Sequence, residues 1–295
     1  MTVSEFAFRA YMKLKHETLR SRVKKQEWQY GVTREKRDTR VIISLTSFPR
    51  RFPDLELCLK SLFNQEMKAD RIILWLGNDA SAEDVEALKK KYSGYGLEVI
   101  RDGENNYFSH KKYYYAMRDF PEAVIVTADD DLIYPTDWLG SMYRSYEKNP
   151  DCINARRVCR IAWDASGDPK PYVSWPGEVR AKVPSHDLVA TTGAGALFPP
   201  GCLGKETLNH EVFMSKAKTA DDLWIKIMAV LSGVRVVWAE NSMIMPTTIN
   251  LNQDVELANE NVANGRNDAI FRDLCSHYHL GKEDFDKQRS GGYEN

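Results

Sequence analysis

Three consecutive carboxylates, Asp129, Asp130 and Asp131, follow the apolar run Ala123-Val-Ile-Val-Thr-Ala128 and precede Leu132 and Ile133. Side by side they repel one another, so a fold tolerates them where water or a cation compensates the charge. Two readings fit. In one, they form a polar strand end, with Asp131 or Thr136 capping a helix that begins near Trp138. In the other, two of the three hold a hard divalent cation that in turn holds phosphate oxygens. Capping uses one short polar side chain and leaves the other carboxylates unexplained.

A second acidic pair, Asp221-Asp222, opens the helical pattern over 219–229. A helix N-terminus favours negative charge, so one of the two serves as its cap. The neighbour, pointed into a cleft, is suited to take a proton from a hydroxyl as a general base. Lys111 and Lys112 open a helix just before the triplet strand; lysine there either neutralises phosphate or faces solvent. Gly193 and Gly195, in Thr191-Thr-Gly-Ala-Gly-Ala196, permit backbone shapes closed to other residues. They either let a sugar or diphosphate approach the main chain or make a tight turn before a strand.

The elements that must position these residues alternate from residue 40 onward. Strands are expected over 41–46, 71–76, 97–100 and 123–128. Helices are expected over 54–64, over 82–92 with Ser81 as N-cap, and over 110–118. That order implies an α/β fold with a doubly wound, mostly parallel sheet and flanking helices. Ligands in such sheets sit beyond the carboxyl ends of the strands. Thr46 and Ser47 end the first strand and the triplet ends the fourth, so topology brings them to one rim. A further strand is expected over 234–238. The organisation read from this is a basic helical segment over 1–39 and one catalytic domain over 40–285. Within that domain a nucleotide-binding half over 40–150 precedes an acceptor half over 151–285, and a flexible tail covers 286–295.

At 295 residues the chain is long enough for a large core, and 43% hydrophobic with 28% charged residues is ordinary for a globular protein. No apolar run reaches membrane-spanning length. Five scattered cysteines (Cys58, Cys152, Cys159, Cys202 and Cys275) form no Cys-x-x-Cys pair, which points to a reducing cytoplasm rather than a disulfide framework or zinc site. The net charge of -1 hides an asymmetry: residues 1–40 hold eleven Lys or Arg against five Asp or Glu, leaving -7 for the remainder. Phe6, Tyr11 and Leu14 share one face of a basic helix there. Either residues 1–35 rest peripherally on an anionic membrane surface, or the helix packs on the main domain, which is the preferred reading.

A first strand ending in SLTSFPRR, then TADDDLIYP, TGAGALFPPG and TADDLW, occur in that order. Over about residues 40–275 the chain resembles the nucleotide-sugar-dependent glycosyltransferases of the GT-A fold, in particular bacterial enzymes that build surface polysaccharide such as capsule or O-antigen. The resemblance implies Mn²⁺ or Mg²⁺ held by Asp131 with Asp129, and Asp129 or Asp130 on the nucleotide ribose. It implies Thr46 and Ser47 as the wall of a nucleotide pocket, and the base at Asp221-Asp222, with Asp222 the choice. The implied donor is a nucleoside diphosphate sugar, UDP by family frequency; the acceptor is a saccharide or lipid-linked saccharide; no nucleic acid is implied. The implied mechanism is inverting. In a retaining enzyme, His277 or His279 would supply a further metal ligand.

Other classes use the same residue types. A nucleotidyltransferase or phosphate-cleaving enzyme also pairs aspartate clusters with Mg²⁺, but no glycine- and lysine-rich loop follows the first strand. A carbohydrate-binding protein explains Trp163, Tyr172 and Trp175 as stacking platforms, yet leaves the aspartates without a task.

Overall fold

The computed structural model describes residues 3–239, 245–250 and 265–286, with side chains from residue 13 onward. Its centre is a seven-stranded sheet in the order β10 (Arg235–Trp238), β6 (Cys152–Ala155), β9 (Ala196–Phe198), β4 (Val124–Ala128), β1 (Val41–Thr46), β2 (Arg71–Leu76) and β3 (Leu97–Arg101). Strands β1, β2, β3 and β4 run parallel, as expected. The register pairs Leu45 with Ala128, which sets the ends of β1 and β4 side by side.

Each strand feeds both faces, because successive side chains point to opposite sides. Ile42 and Ile125 pack into one core with Tyr113, Phe213 and Trp224. Val41, Ile43, Val124 and Val126 pack into the other with Leu59, Phe63, Leu139 and Met142. Helices α2 (Leu55–Phe63), α3 (Ala82–Tyr92) and α5 (Trp138–Lys148) supply the second core. Helix α4 (Lys111–Asp119), α7 (His210–Lys216) and α8 (Asp221–Leu231) supply the first. The doubly wound expectation holds.

Ser81 caps α3 as expected: its hydroxyl accepts from Asp84 N at 3.1 Å, while Ser81 N donates to Asp84 Oδ2 at 2.9 Å. The cap expected for α5 is not observed. Asp137 occupies the N-cap position without a side-chain bond, Thr136 donates to Glu66 at 2.9 Å, and Asp131 is engaged by Arg51.

Beyond residue 150 the sheet departs from a simple alternation. β6 (Cys152–Ala155) and β10 (Arg235–Trp238) pair in parallel, but β9 (Ala196–Phe198) lies antiparallel between β4 and β6. The stretch read as a loop or tight turn is the short helix α6 (Thr192–Gly195), which runs directly into β9. Two small ladders flank the sheet: β7 (Val158–Arg160) with β8 (Leu188–Ala190), and β5 (Leu132–Ile133) with β11 (Thr247–Thr248). Helix α9 (Arg266–His277), followed by α10 (Lys282–Asp286), lies against α8 and α7.

The basic segment forms α1 (Val3–Lys25). Phe6 and Tyr11 lie outside the described side chains, and Leu14 is 69% exposed, so the expected apolar face is not the packing face. His16 and Val23 are buried instead, with Leu19 partly buried between them, and His16 Nε2 bonds Thr248 O at 2.6 Å. Residues 287–295 of the expected tail lie outside the described residues.

Candidate active site

The carboxyl ends of β1 and β4 and the start of α8 bring together five carboxylates, the half-buried Arg51 and the buried Lys112. Arg51, in the turn of 3-10 helix after β1, donates through Nη1 to Asp130 Oδ1 at 2.9 Å and also pairs with Asp131. Ser47 donates its hydroxyl to the other oxygen of Asp130. Asp130 is thus consumed by the fold, with both oxygens satisfied. Burial raises its proton affinity, while Arg51 and Ser47 oppose the rise.

Lys112 is the second cation. Its Nζ lies 2.7 Å from Asp129 Oδ1 and 3.0 Å from Asp221 Oδ2, with its side chain only 3% exposed. Burial works against its charge, but Asp129 and Asp221 outweigh it and hold it protonated. This lysine therefore ties the triplet to the start of α8, two segments that the sequence separates widely. Lys111, beside it in the chain, turns elsewhere: its Nζ donates to Asn106 Oδ1 at 2.8 Å, and burial lowers its pKa.

The acidic pair at α8 divides into unlike members. Ala220, not Asp221, occupies the N-cap position, so the capping role expected of Asp221 is not observed. Burial alone would raise the pKa of Asp221, yet the charge of Lys112 and the hydroxyls of Thr192 and Ser109 hold it below the carboxylate range. Asp222 is pushed up to about 6 by burial and by the charge of Asp221. Its Oδ1 accepts from Thr192 N at 2.8 Å and from Thr192 Oγ1 at 2.7 Å. Its Oδ2 has no partner among the described residues. One oxygen is thus anchored, and the other remains to accept a proton.

Thr192 holds Asp222 because α6 is pinned at several points. Thr127 Oγ1 donates to Thr192 O at 2.9 Å, and Tyr134 Oη donates to Gly193 O at 2.8 Å. Gly193 is required by closeness: a Cβ there would stand 1.9 Å from Asp129 Oδ2. Gly195 is required twice over, by φ of +116° and by Trp138 Nε1, 2.5 Å from where its Cβ would be. The glycines bring a backbone close to side chains of this chain.

Asp131 keeps one oxygen clear of Arg51, and its side chain is 17% exposed. Burial and the neighbouring charge of Asp129 push its pKa to about 6, against the pull of Arg51. Asp129, at 38% side-chain exposure, faces the open rim. Thr46 points away from the triplet, its hydroxyl bonding Trp75 O at 2.8 Å, whereas Ser47 is part of it. His277 and His279 are exposed near the end of α9 and have no contact with the triplet among the described residues.

A family model described as glycosyl transferase family 2 matches residues 45–198, more than half of the chain and the whole stretch from the end of β1 through β9. The chain belongs to this family. It is a glycosyltransferase, and the matched segment contains Ser47, Arg51, Lys112, the triplet and Thr192. No curated protein matches the chain. Among solved structures, the glycosyltransferase is similar to the mannosyltransferase PcManGT from Pyrobaculum calidifontis, determined in complex with GDP-Man and Mn²⁺, at 14% identity and a TM-score of 0.47. That match covers 81% of this chain but only 65% of the mannosyltransferase. S. aureus TarS 1-349 is similar at 11% identity and TM-score 0.46, over 81% and 72% of the two chains. A 4-diphosphocytidyl-2C-methyl-D-erythritol synthase is similar at 11% and 0.45, over 75% and 98%. None of these likenesses is close enough to transfer chemistry.

Two side chains central to this site escape a sequence reading. Nothing in its local sequence marks Arg51, because its partners Asp130 and Asp131 lie far along the chain. Thr192 was overshadowed by the glycines beside it.

Proposed function

We propose that this family 2 enzyme transfers a sugar from a nucleoside diphosphate sugar, UDP-linked in the first instance, to a saccharide or lipid-linked saccharide, with inversion. The product class is a bacterial surface polysaccharide. The observation that carries this reading is the Lys112 bridge, which brings the triplet and Asp222 into one site at the sheet rim.

A phosphate-bridging cation needs only one or two protein carboxylates, because phosphate oxygens and water complete its shell. Among the described residues no three His, Cys, Asp or Glu side chains converge into a cage. Asp131 and Asp129 nevertheless fit such an ion. Five carboxylates outnumber Arg51 and Lys112, so the site holds an excess of negative charge that added positive charge relieves. When bound, Mn²⁺ or Mg²⁺ supplies Lewis-acid stabilisation of the departing diphosphate.

The chain's own residues divide the remaining work. Arg51 and Ser47 hold Asp130 rigid and set the triplet. Lys112 pairs with Asp129, keeps Asp221 ionised and fixes the distance between donor side and acceptor side. Thr192 orients Asp222, whose free Oδ2 takes the proton of the acceptor hydroxyl as it attacks the anomeric carbon. A base near 6 is deprotonated at neutral pH yet retains proton affinity, as general-base catalysis requires.

The test is release of nucleoside diphosphate from a panel of UDP-, GDP- and dTDP-sugars, with Mn²⁺, Mg²⁺ or chelator, in the wild type and in Asp131→Asn. Divalent-dependent release from at least one donor, lost in the variant, is expected. Full activity in chelator would remove the cation, and pyrophosphate release from a nucleoside triphosphate would point to nucleotidyl transfer instead.

A further inference from the structure

Thr191, directly before Thr192, lines a pocket of about 370 Å³ together with Arg157, Cys159, Tyr172, Trp175 and Glu178. That volume lies within the usual range of small-molecule sites, about 300–1,000 Å³. The pocket is framed by the β7–β8 ladder: Arg157 precedes β7, Thr191 follows β8, and Thr191 N donates to Arg157 O at 3.0 Å. Its position relative to the base is fixed, because the residue after Thr191 holds Asp222 through two bonds. The charge of Asp222 is felt by both Cys159 and Tyr172.

The walls are chemically unequal. Tyr172 and Trp175 stand with ring centroids 4.8 Å apart, and Trp175 is anchored by its indole Nε1 to Lys170 O at 2.9 Å. Trp175 is buried and supports Tyr172, whose partly open ring suits the apolar face of a pyranose. Arg157 is exposed, yet its Nε donates to Thr191 Oγ1 at 2.9 Å, which orients the guanidinium. Its two terminal nitrogens have no acceptor among the described residues. A held guanidinium with its outer edge open matches a planar or tetrahedral oxyanion. Glu178, at a left-handed φ of 51°, places a second charge in the same pocket. A carboxylate there disfavours an anion at its own end and is suited to accept from sugar hydroxyls.

We propose that this pocket is an anion-reading subsite, in which Arg157 selects a saccharide acceptor bearing a carboxylate or phosphate beside the ring stacked on Tyr172. The inference rests on the reading of Asp222 as the base, which makes the adjoining pocket the acceptor side.

The experiment measures binding rather than turnover. Full-length protein is titrated at physiological ionic strength with methyl β-D-glucuronide, methyl β-D-glucoside 6-phosphate and methyl β-D-glucoside, followed by ligand-observed saturation-transfer NMR. One or both anionic probes should bind about tenfold or more tighter than the neutral glucoside, as expected for a charge-assisted hydrogen-bonded pair. Which of the two wins identifies the anion. Arg157→Gln should erase the preference, and Arg157→Lys, which keeps the charge but not the fork, should keep only part of it. Nucleotide binding in both variants reports that the fold is intact. Equal binding of all three probes, a preference that survives Arg157→Gln, or no binding of any probe overturns the proposal. Anion-selective binding by a protein that releases no nucleotide would leave the subsite standing and remove the transferase reading of Asp222.

Discussion

Replacing Lys112 by Met keeps most of the stem volume and removes the charge that lies 2.7 Å from Asp129 and 3.0 Å from Asp221. Asp221, 11% exposed in its side chain, is then a buried carboxylate with the hydroxyls of Thr192 and Ser109 as hydrogen-bond partners and no adjacent cation among the described residues. Breaking a buried ion pair from one side costs about 3–5 kcal/mol, a large part of a typical total of about 5–15 kcal/mol. The pH dependence separates this cause from simple loss of packing. In the wild type Asp221 is held below its unfolded pKa, so its contribution is present above about pH 4 and lost as pH falls through the depressed folded value. In the variant burial is unopposed and lifts Asp221 above its unfolded value, so ionisation costs stability above about pH 4. The deficit of Lys112→Met relative to wild type should therefore shrink on going from about pH 7 to about pH 5. Urea denaturation at both pH values measures it, and adding Asp221→Asn should restore part of the loss at neutral pH. A deficit below about 1 kcal/mol, or one equal at both pH values, would refute the argument from an unpaired buried charge.

Two further perturbations probe other parts of the structure. Gly193→Ala must push Asp129 away from its Cβ, so it should weaken divalent-dependent nucleotide binding and cost about 1–3 kcal/mol by overpacking; Gly94→Ala, which meets nothing within 4 Å, is the control and should be near neutral by thermal melting. On α1, the exposed Lys13, Lys15 and Arg22 and the buried His16 separate the two roles of the segment. Changing the three cations to Glu should abolish salt-sensitive binding to anionic vesicles without lowering the Tm, whereas His16→Ala should lower the Tm through its lost bond to Thr248; vesicle binding unchanged by the three charge reversals would leave only the packing role.

The first half of the fold was legible because its elements announce themselves locally. β1 and β2 are β-branched and leucine-rich runs of six residues, and α3 opens with a Ser81–Asp84 box. The second half was not, since β9 is three residues long and its antiparallel course depends on where α6 delivers it. At the site, residue types pointed to the triplet and to Asp221-Asp222, because adjacent carboxylates are costly without a purpose. Their division of labour was invisible. Asp221 and Asp222 are identical in type and adjacent in sequence, and only the approach of Lys112 to one and of Thr192 N to the other distinguishes them. Lys111 and Lys112 pose the same problem: helical geometry turns them to different partners, one to Asn106 and one to the carboxylates.

The central claim is that Asp222 takes the acceptor proton at a rim assembled by Lys112, and the pH profile of sugar transfer by Asp222→Asn tests it most directly. Wild-type kcat should rise with pH through about 6, as the carboxylate loses its proton, and then level off. The variant keeps the bond from Thr192 but lacks basicity, so kcat should fall about a hundred- to ten-thousand-fold and lose that rise, with nucleotide binding unchanged. Near-normal transfer by Asp222→Asn, with the same pH profile as wild type, would contradict the claim.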